Sequence, residues 1–152
     1  MPHLDLRIPP LALVLVFAAI MAAIAYAVPA SITIPGRRII AGAFAFAGAV
    51  AALAGVIAFR SHKTTVNPLT PDQASTLVVI GIYRVSRNPM YLGFLLALLG
   101  WGTYLSNWAC MFMQPVFVAY VNRFQIGPEE RALTELFGPQ FLAYAKSVRR
   151  WL

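Results

Sequence analysis

The chain has 152 residues, 60% of them hydrophobic and only 11% charged, against roughly 25% charged in a soluble domain; four membrane crossings of about 20 residues each leave no room in it for a separate soluble catalytic unit. One cysteine, Cys110, and two histidines, His3 and His62, exclude an intramolecular disulfide and argue against a side-chain zinc or haem site. The excess of 12 Lys+Arg over 5 Asp+Glu, a net charge of +7, reads in so apolar a chain as a topology signal and a contact with anionic headgroups, not as a nucleic-acid footprint.

The first element is an uncharged stretch, residues 8–36, within which residues 11–28 are a run rich in Leu, Val, Ala and Ile. It is long enough to span a bilayer. Ala25-Tyr26-Ala27 resembles a signal-peptidase site, but the run is long for a secretory core, so it is read as a retained span over residues 9–28. Pro29, Pro35, Gly36 and the pair Arg37-Arg38 form the next loop, and residues 39–59 are a second uncharged run and a second span. Gly48, Ala52 and Gly55 fall on one face of it, which lets a neighbouring backbone approach closely, as helix packing in lipid favours.

The third uncharged run, residues 88–122, would be about 52 Å long as one helix and overshoot a hydrocarbon core of about 30 Å. It must fold back near Ser106-Asn107, giving a tight helical hairpin with spans over residues 90–105 and 107–122, the second expected to be kinked by Pro115. Two polar segments remain, residues 60–91 and 123–152. In the second, Gly127-Pro128 is expected to start a helix with Glu129 and Glu130 in its first turn, and Gly138-Pro139 to stop it and start another. Leu133, Leu136, Phe137, Phe141, Tyr144, Val148 and Trp151 recur at mostly helical spacing, so this pair is expected to be amphipathic and to lie on the bilayer surface.

The fold class is therefore all-α and integral to the membrane: one domain over residues 1–152 with about four transmembrane helices and a C-terminal interfacial helix pair. With four spans, ten of the twelve basic residues fall on one side, with all five acids. The positive-inside rule makes that side, and both termini, cytoplasmic. The expected location is a bacterial or archaeal cell membrane, with membrane lipids as partners. The two polar segments then face each other across one interface.

No Gly-x-Gly-x-x-Gly, P-loop, Gly-x-Ser-x-Gly or His-Glu-x-x-His is present, so soluble-enzyme templates fail. What the interface offers is Tyr83, Arg84, Arg87, Asn88-Pro89 and Tyr91 opposite Glu129-Glu130. This set suits a ligand carrying both charges, because arginine grips carboxylates, carboxylates accept from hydroxyls or ammonium, and tyrosine faces attract cations. The plainer reading makes the tyrosines interfacial-belt residues, the arginines topology anchors and the glutamates partners of the helix dipole. Cys110, Met111 and Met113 read as lipid-facing or packing residues and His62 as a solvated loop histidine.

The ordered combination Thr76-Leu77-Val78, Gly81-Ile82-Tyr83, Arg87-Asn88-Pro89-Met90-Tyr91-Leu92-Gly93, then Glu129-Glu130, Phe137-Gly138, Tyr144 and Val148 resembles the isoprenylcysteine carboxyl methyltransferase family, to which phospholipid methyltransferases are related. The resemblance implies an S-adenosylmethionine-dependent methyltransferase that needs no metal and acts on a lipophilic acceptor: a prenyl or other thiol or carboxylate, or a phospholipid amine. It implies a donor site formed by Ser75, Thr76, Leu77, Val78, Tyr83, Asn88, Pro89, Met90, Tyr91, Glu129 and Glu130. Arg87, Asn88 and Tyr91 are the catalytic candidates, in a mechanism that works by positioning. Two positions depart from the family pattern. Asn88 stands where the family has histidine and cannot act as an imidazole base. Gln125 stands where the farnesyl-cysteine enzymes have an arginine for the substrate carboxylate, with Arg123 close enough in sequence to replace it. A four-helix membrane scaffold or small transporter is the alternative, weakened because no span carries an ionisable residue.

Overall fold

The structure, a computed structural model, describes residues 8–61 and 76–152. Among these residues the chain is helical, with one isolated antiparallel bridge between Ser31 and Asn107.

Helix α1 (Pro10–Ala27) begins on a proline, whose missing amide is no loss in a first turn. It buries only Leu13, Phe17 and Met21, one residue per turn, while Leu11, Leu15 and Val16 are exposed. Helix α2 (Arg37–Ser61) repeats the pattern, with Ile39 80% and Phe46 73% exposed. Helices that are apolar all round yet leave their outer residues uncovered suit a lipid surrounding. These two are long and apolar enough to cross a membrane.

Helix α3 (Pro89–Leu105) lies against α2 with backbones in contact. A Cβ added to Gly93 would stand 2.5 Å from the Gly48 carbonyl oxygen and 2.9 Å from the Ala52 nitrogen, and one on Gly100 would stand 2.8 Å from the Ala41 oxygen. The small-residue face of α2 thus meets a matching face on α3.

The turn after α3 falls at Ser106, which takes a left-handed conformation (φ 52°) while its amide caps the Gly102 and Thr103 carbonyls. The next side chain, Asn107, accepts from the Ala109 amide at 3.0 Å and donates to the Val28 carbonyl at 2.9 Å, tying the turn to the end of α1. A 3-10 turn, Trp108–Phe112, leads into α4 (Met113–Val121). Pro115 is the third residue of α4, where a helix makes no use of its amide, and the departure from α geometry comes before it.

Gly127-Pro128 begins α5 (Gly127–Phe137), with Glu129 and Glu130 in its first turn as expected, and α4 runs into it through a π turn, Asn122–Ile126. The Gly127 amide bonds the Asn122 carbonyl five residues back, and this wider turn admits Pro128, which has no amide to donate. Gly138, with φ 50°, then ends α5, and α6 (Pro139–Ser147) follows. Polar side chains hold α1 to the rest: Trp101 Nε1 donates to the Ala18 carbonyl at 3.0 Å, the fully buried Cys110 thiol to that of Met21, and Gln125 Nε2 to that of Ile8 at 2.9 Å.

Candidate functional site

Three pieces of backbone converge at the N-terminal end of α3. The first is the 3-10 turn Gly81–Arg84, entered through Gly81 at φ 59°. It delivers Tyr83, 4% exposed, edge-on to Phe59 of α2 with ring centroids 5.3 Å apart. Gly55 of α2 makes this possible: a Cβ there would meet Met90 Cγ at 3.0 Å, Pro89 Cγ at 3.3 Å and the Tyr83 hydroxyl at 3.5 Å. The second is the start of α3, where Asn88 precedes the helix and Pro89 opens it. Tyr91, one turn in, reaches across to the third piece, α5, and its hydroxyl donates to Glu129 Oε1.

The two neighbouring acids of α5 have different surroundings. Glu130 takes both nearby arginines: Arg87 Nη2 lies 3.2 Å from its Oε1, and Arg150 binds it through Nε at 3.2 Å and through Nη2. Neither arginine pairs with Glu129. Burial pushes the Glu129 carboxyl up to about 8; the Tyr91 hydroxyl opposes this and the Glu130 charge adds to it. Burial likewise raises Tyr144, to about 12, against the pull of Arg87, and raises Tyr83 further.

These groups line one cavity with about 660 Å³ of empty space, part of it open to solvent. Its lining includes Thr76, Leu77, Val78, Tyr83, Arg87, Asn88, Pro89, Met90, Tyr91, Glu129 and Glu130, so every sequence-derived donor residue among those described is gathered there. Ser75 and His62 lie outside the described residues. Phe59, Leu133, Phe141 and Tyr144 complete the walls. Three of the seven residues of the apolar face expected to lie on the bilayer, Leu133, Phe141 and Tyr144, thus turn inward; helical spacing is a signal for such a face but not for its direction. The Tyr144 hydroxyl donates to the Tyr83 carbonyl at 2.7 Å and fixes α6 against the first segment.

Three sequence candidates are used otherwise. Arg123 is exposed, with its guanidinium 5.4 Å from the Phe124 ring centroid, and does not line the cavity. Gln125 is fully buried, with its amide nitrogen on the carbonyl of Ile8 ahead of α1, and does not line the cavity. Asn88 lines the cavity but commits its amide nitrogen to the Arg150 carbonyl at 2.9 Å. Sequence reasoning missed Arg150 and Ser86: Arg150 meets Glu130 20 residues away in the chain, and Ser86, whose Oγ accepts from the Asn88 amide two residues on at 3.1 Å, reaches the Arg150 carbonyl 64 residues away.

An acid with no cation paired to it among the described residues, inside a largely apolar, aromatic cavity, is suited to a positively charged ligand. Arg87, whose Nε is buried without a partner among the described residues, adds a donor for an anionic group. No solved structure matches the chain. It is 41% identical over 63 residues to an uncharacterized protein of Haemophilus influenzae, covering 41% of this chain and all of that protein. It is 33% identical over 103 residues to protein-S-isoprenylcysteine O-methyltransferase A of Arabidopsis thaliana, covering 66% of this chain and about half, 51%, of the plant protein. Residues 37–140, from α2 through the acid pair to the start of α6, match the phospholipid methyltransferase family, and the chain accordingly belongs to that family of membrane methyltransferases.

Proposed function

We propose that the protein is an integral membrane methyltransferase that uses S-adenosylmethionine and acts on a lipophilic acceptor: a prenyl or other thiol or carboxylate, or a phospholipid amine. The observation that carries this reading is the asymmetry of the acid pair, in which Glu130 takes two arginines while Glu129 has the Tyr91 hydroxyl and a cavity in front of it. The donor is a sulfonium that also bears an ammonium and a carboxylate, so it would give Glu129 a cation and the Arg87 Nε, which the Glu130 ion pair does not use, an acceptor. Thr76, Leu77, Val78, Tyr83, Asn88, Pro89, Met90 and Tyr91, with Ser75 beside them in sequence, would hold the rest of it.

When bound, S-adenosylmethionine supplies an electrophilic methyl group on sulfur. The chain's own residues hold donor and acceptor in line and keep water away, a task that Phe59, Leu133 and Phe141 suit because they wall the cavity with apolar surface. Asn88 serves this as a strut and not as a base, since its side-chain amide holds the Arg150 carbonyl. The acceptor would enter laterally from the bilayer and the donor from the cytoplasm. The reading assigns the acceptor to neither Arg123 nor Gln125.

The same reading has four crossings, with α3 and the α4 arm as the third and fourth, both ends of the sequence cytoplasmic and α5–α6 at the membrane surface. Reporter fusions after Leu152 and within the Arg37-Arg38 loop are expected to report cytoplasm and exterior respectively, and the reverse pattern would sink this topology. S-adenosylhomocysteine at 100 times its dissociation constant is expected to stabilise the detergent-solubilised protein by about 2.7 kcal/mol, an upward shift of several degrees in thermal midpoint. No shift at saturating ligand, with the protein folded, would remove the donor from this reading.

A further inference from the structure

The segment that follows α6 is pinned to both polar faces of the site. It leaves α6 in extended conformation at Val148. The Arg87 amide then donates to the Arg149 carbonyl at 3.0 Å, Ser86 Oγ and Asn88 Nδ2 both donate to the Arg150 carbonyl, at 3.4 and 2.9 Å, and Trp151 Nε1 donates to Asn122 Oδ1 in the π turn at 3.1 Å. With the backbone held on two sides, the Arg150 guanidinium reaches Glu130 through two hydrogen bonds. Arg150 does not line the donor cavity; it lines an outer groove that it shares with Glu130 and Arg131. Glu130 lines both, so it stands in the wall between them, met by Arg87 and Arg150.

We propose that Arg150 is a positioning residue of the donor site: held by the Ser86–Asn88 strut, it compensates the charge of Glu130 from outside the cavity and leaves Glu129 as the acid presented to a cationic donor. This rests on the donor reading above and adds to it a residue that never touches the donor. The physical link is Coulombic. Glu129 faces Tyr83 and Arg87 from the segment before α3, Tyr91 from α3, Tyr144 from α6 and Glu130 on its own helix. Burial is the main cause that holds the proton on Glu129, and among these groups the neighbouring Glu130 carboxylate adds to it through its charge; Arg87 and Arg150 are the cations paired with Glu130. Removing Arg150 leaves more of the Glu130 charge to act on Glu129, so Glu129 keeps its proton to higher pH and a cationic donor must displace it over a wider range.

The test is calorimetric titration of S-adenosylmethionine into the detergent-solubilised full chain between pH 6 and pH 9. The wild-type affinity is expected to rise with pH by up to tenfold per unit and then level off. In Arg150→Gln the levelling point is expected to move up by at least about 0.5 pH unit, and Arg150→Lys is expected to restore most of it. Lys146→Gln, which removes an exposed charge from α6, should leave it in place. Glu130→Gln is expected to move the levelling point down, and adding Arg150→Gln to Glu130→Gln should move it no further. This pair keeps the question decidable if Arg150→Gln alone fails to fold. A levelling point that stays put in both Arg150→Gln and Glu130→Gln would reduce Arg150 to a structural clamp and overturn the inference while leaving the donor reading intact. Absence of wild-type binding at every pH would overturn both.

Discussion

Glu129→Gln is expected to weaken S-adenosylmethionine binding by roughly 10- to 150-fold, while Glu135→Gln, in an exposed position on the same helix, leaves it near normal. The first estimate is the value of charge-assisted contacts, about 1.5 to 3 kcal/mol, expressed as affinity. A pure helix-dipole role would be worth only about 0.3 to 1 kcal/mol, and in stability. The continuous helix through the π turn makes that role weaker still, because the amides before Glu129 do not form a free helix end. Isothermal titration decides the matter, and equal affinities in the two variants would remove Glu129 from the site. A stability measurement accompanies it. The Glu129 carboxyl stays protonated up to about pH 8 in the ligand-free folded protein but ionises near 4.5 once unfolded. Its contribution is therefore fully present below about pH 4.5 and is lost as pH rises through 8, with a slope of up to about 1.4 kcal/mol per pH unit. In Glu129→Gln that slope is expected to vanish.

Gly93→Ala is expected to lower the thermal midpoint by several degrees and to weaken donor binding with it. The added methyl would stand 2.5 Å from the Gly48 carbonyl oxygen and 2.9 Å from the Ala52 nitrogen. Both are backbone atoms of a helix, so neither can rotate aside, and α2 and α3 must separate. Overpacking of this kind costs about 1 to 3 kcal/mol. The cavity feels it because Gly55, two helical turns along from Gly48, seats Pro89, Met90 and Tyr83 at contact distance. Gly42→Ala is the control: a Cβ there meets nothing within 4 Å, and replacing a helical glycine by alanine should gain about 0.5 to 1 kcal/mol. An unchanged midpoint for Gly93→Ala, measured against Gly42→Ala in the same detergent, would show that the α2–α3 contact does not hold the bundle together.

The sequence by itself determined the long helices and which polar and aromatic residues share the cavity at the start of α3. Length and hydropathy are local properties: uncharged runs of some 20 residues form apolar helices, and a 35-residue run has to turn, which it does at Ser106-Asn107 because these two can satisfy backbone groups with a left-handed residue and an amide side chain. The small-residue face of α2 was equally legible, since close packing needs small side chains at helical spacing and little else. Tertiary structure decided which charged groups meet. Glu129 and Glu130 are adjacent in sequence and chemically alike, yet only Glu130 receives Arg87 and Arg150, the latter 20 residues on and itself anchored by Asn88 from 62 residues away. Gln125, by its place in the family pattern, and Arg123, by its closeness to it in sequence, were the acceptor candidates, but in the π turn Gln125 is buried with its amide on the Ile8 carbonyl and Arg123 is exposed. Helix periodicity gives the face on which a side chain lies only while the turn stays regular, and here both residues lie within one irregular turn, through which the helix runs on into a proline.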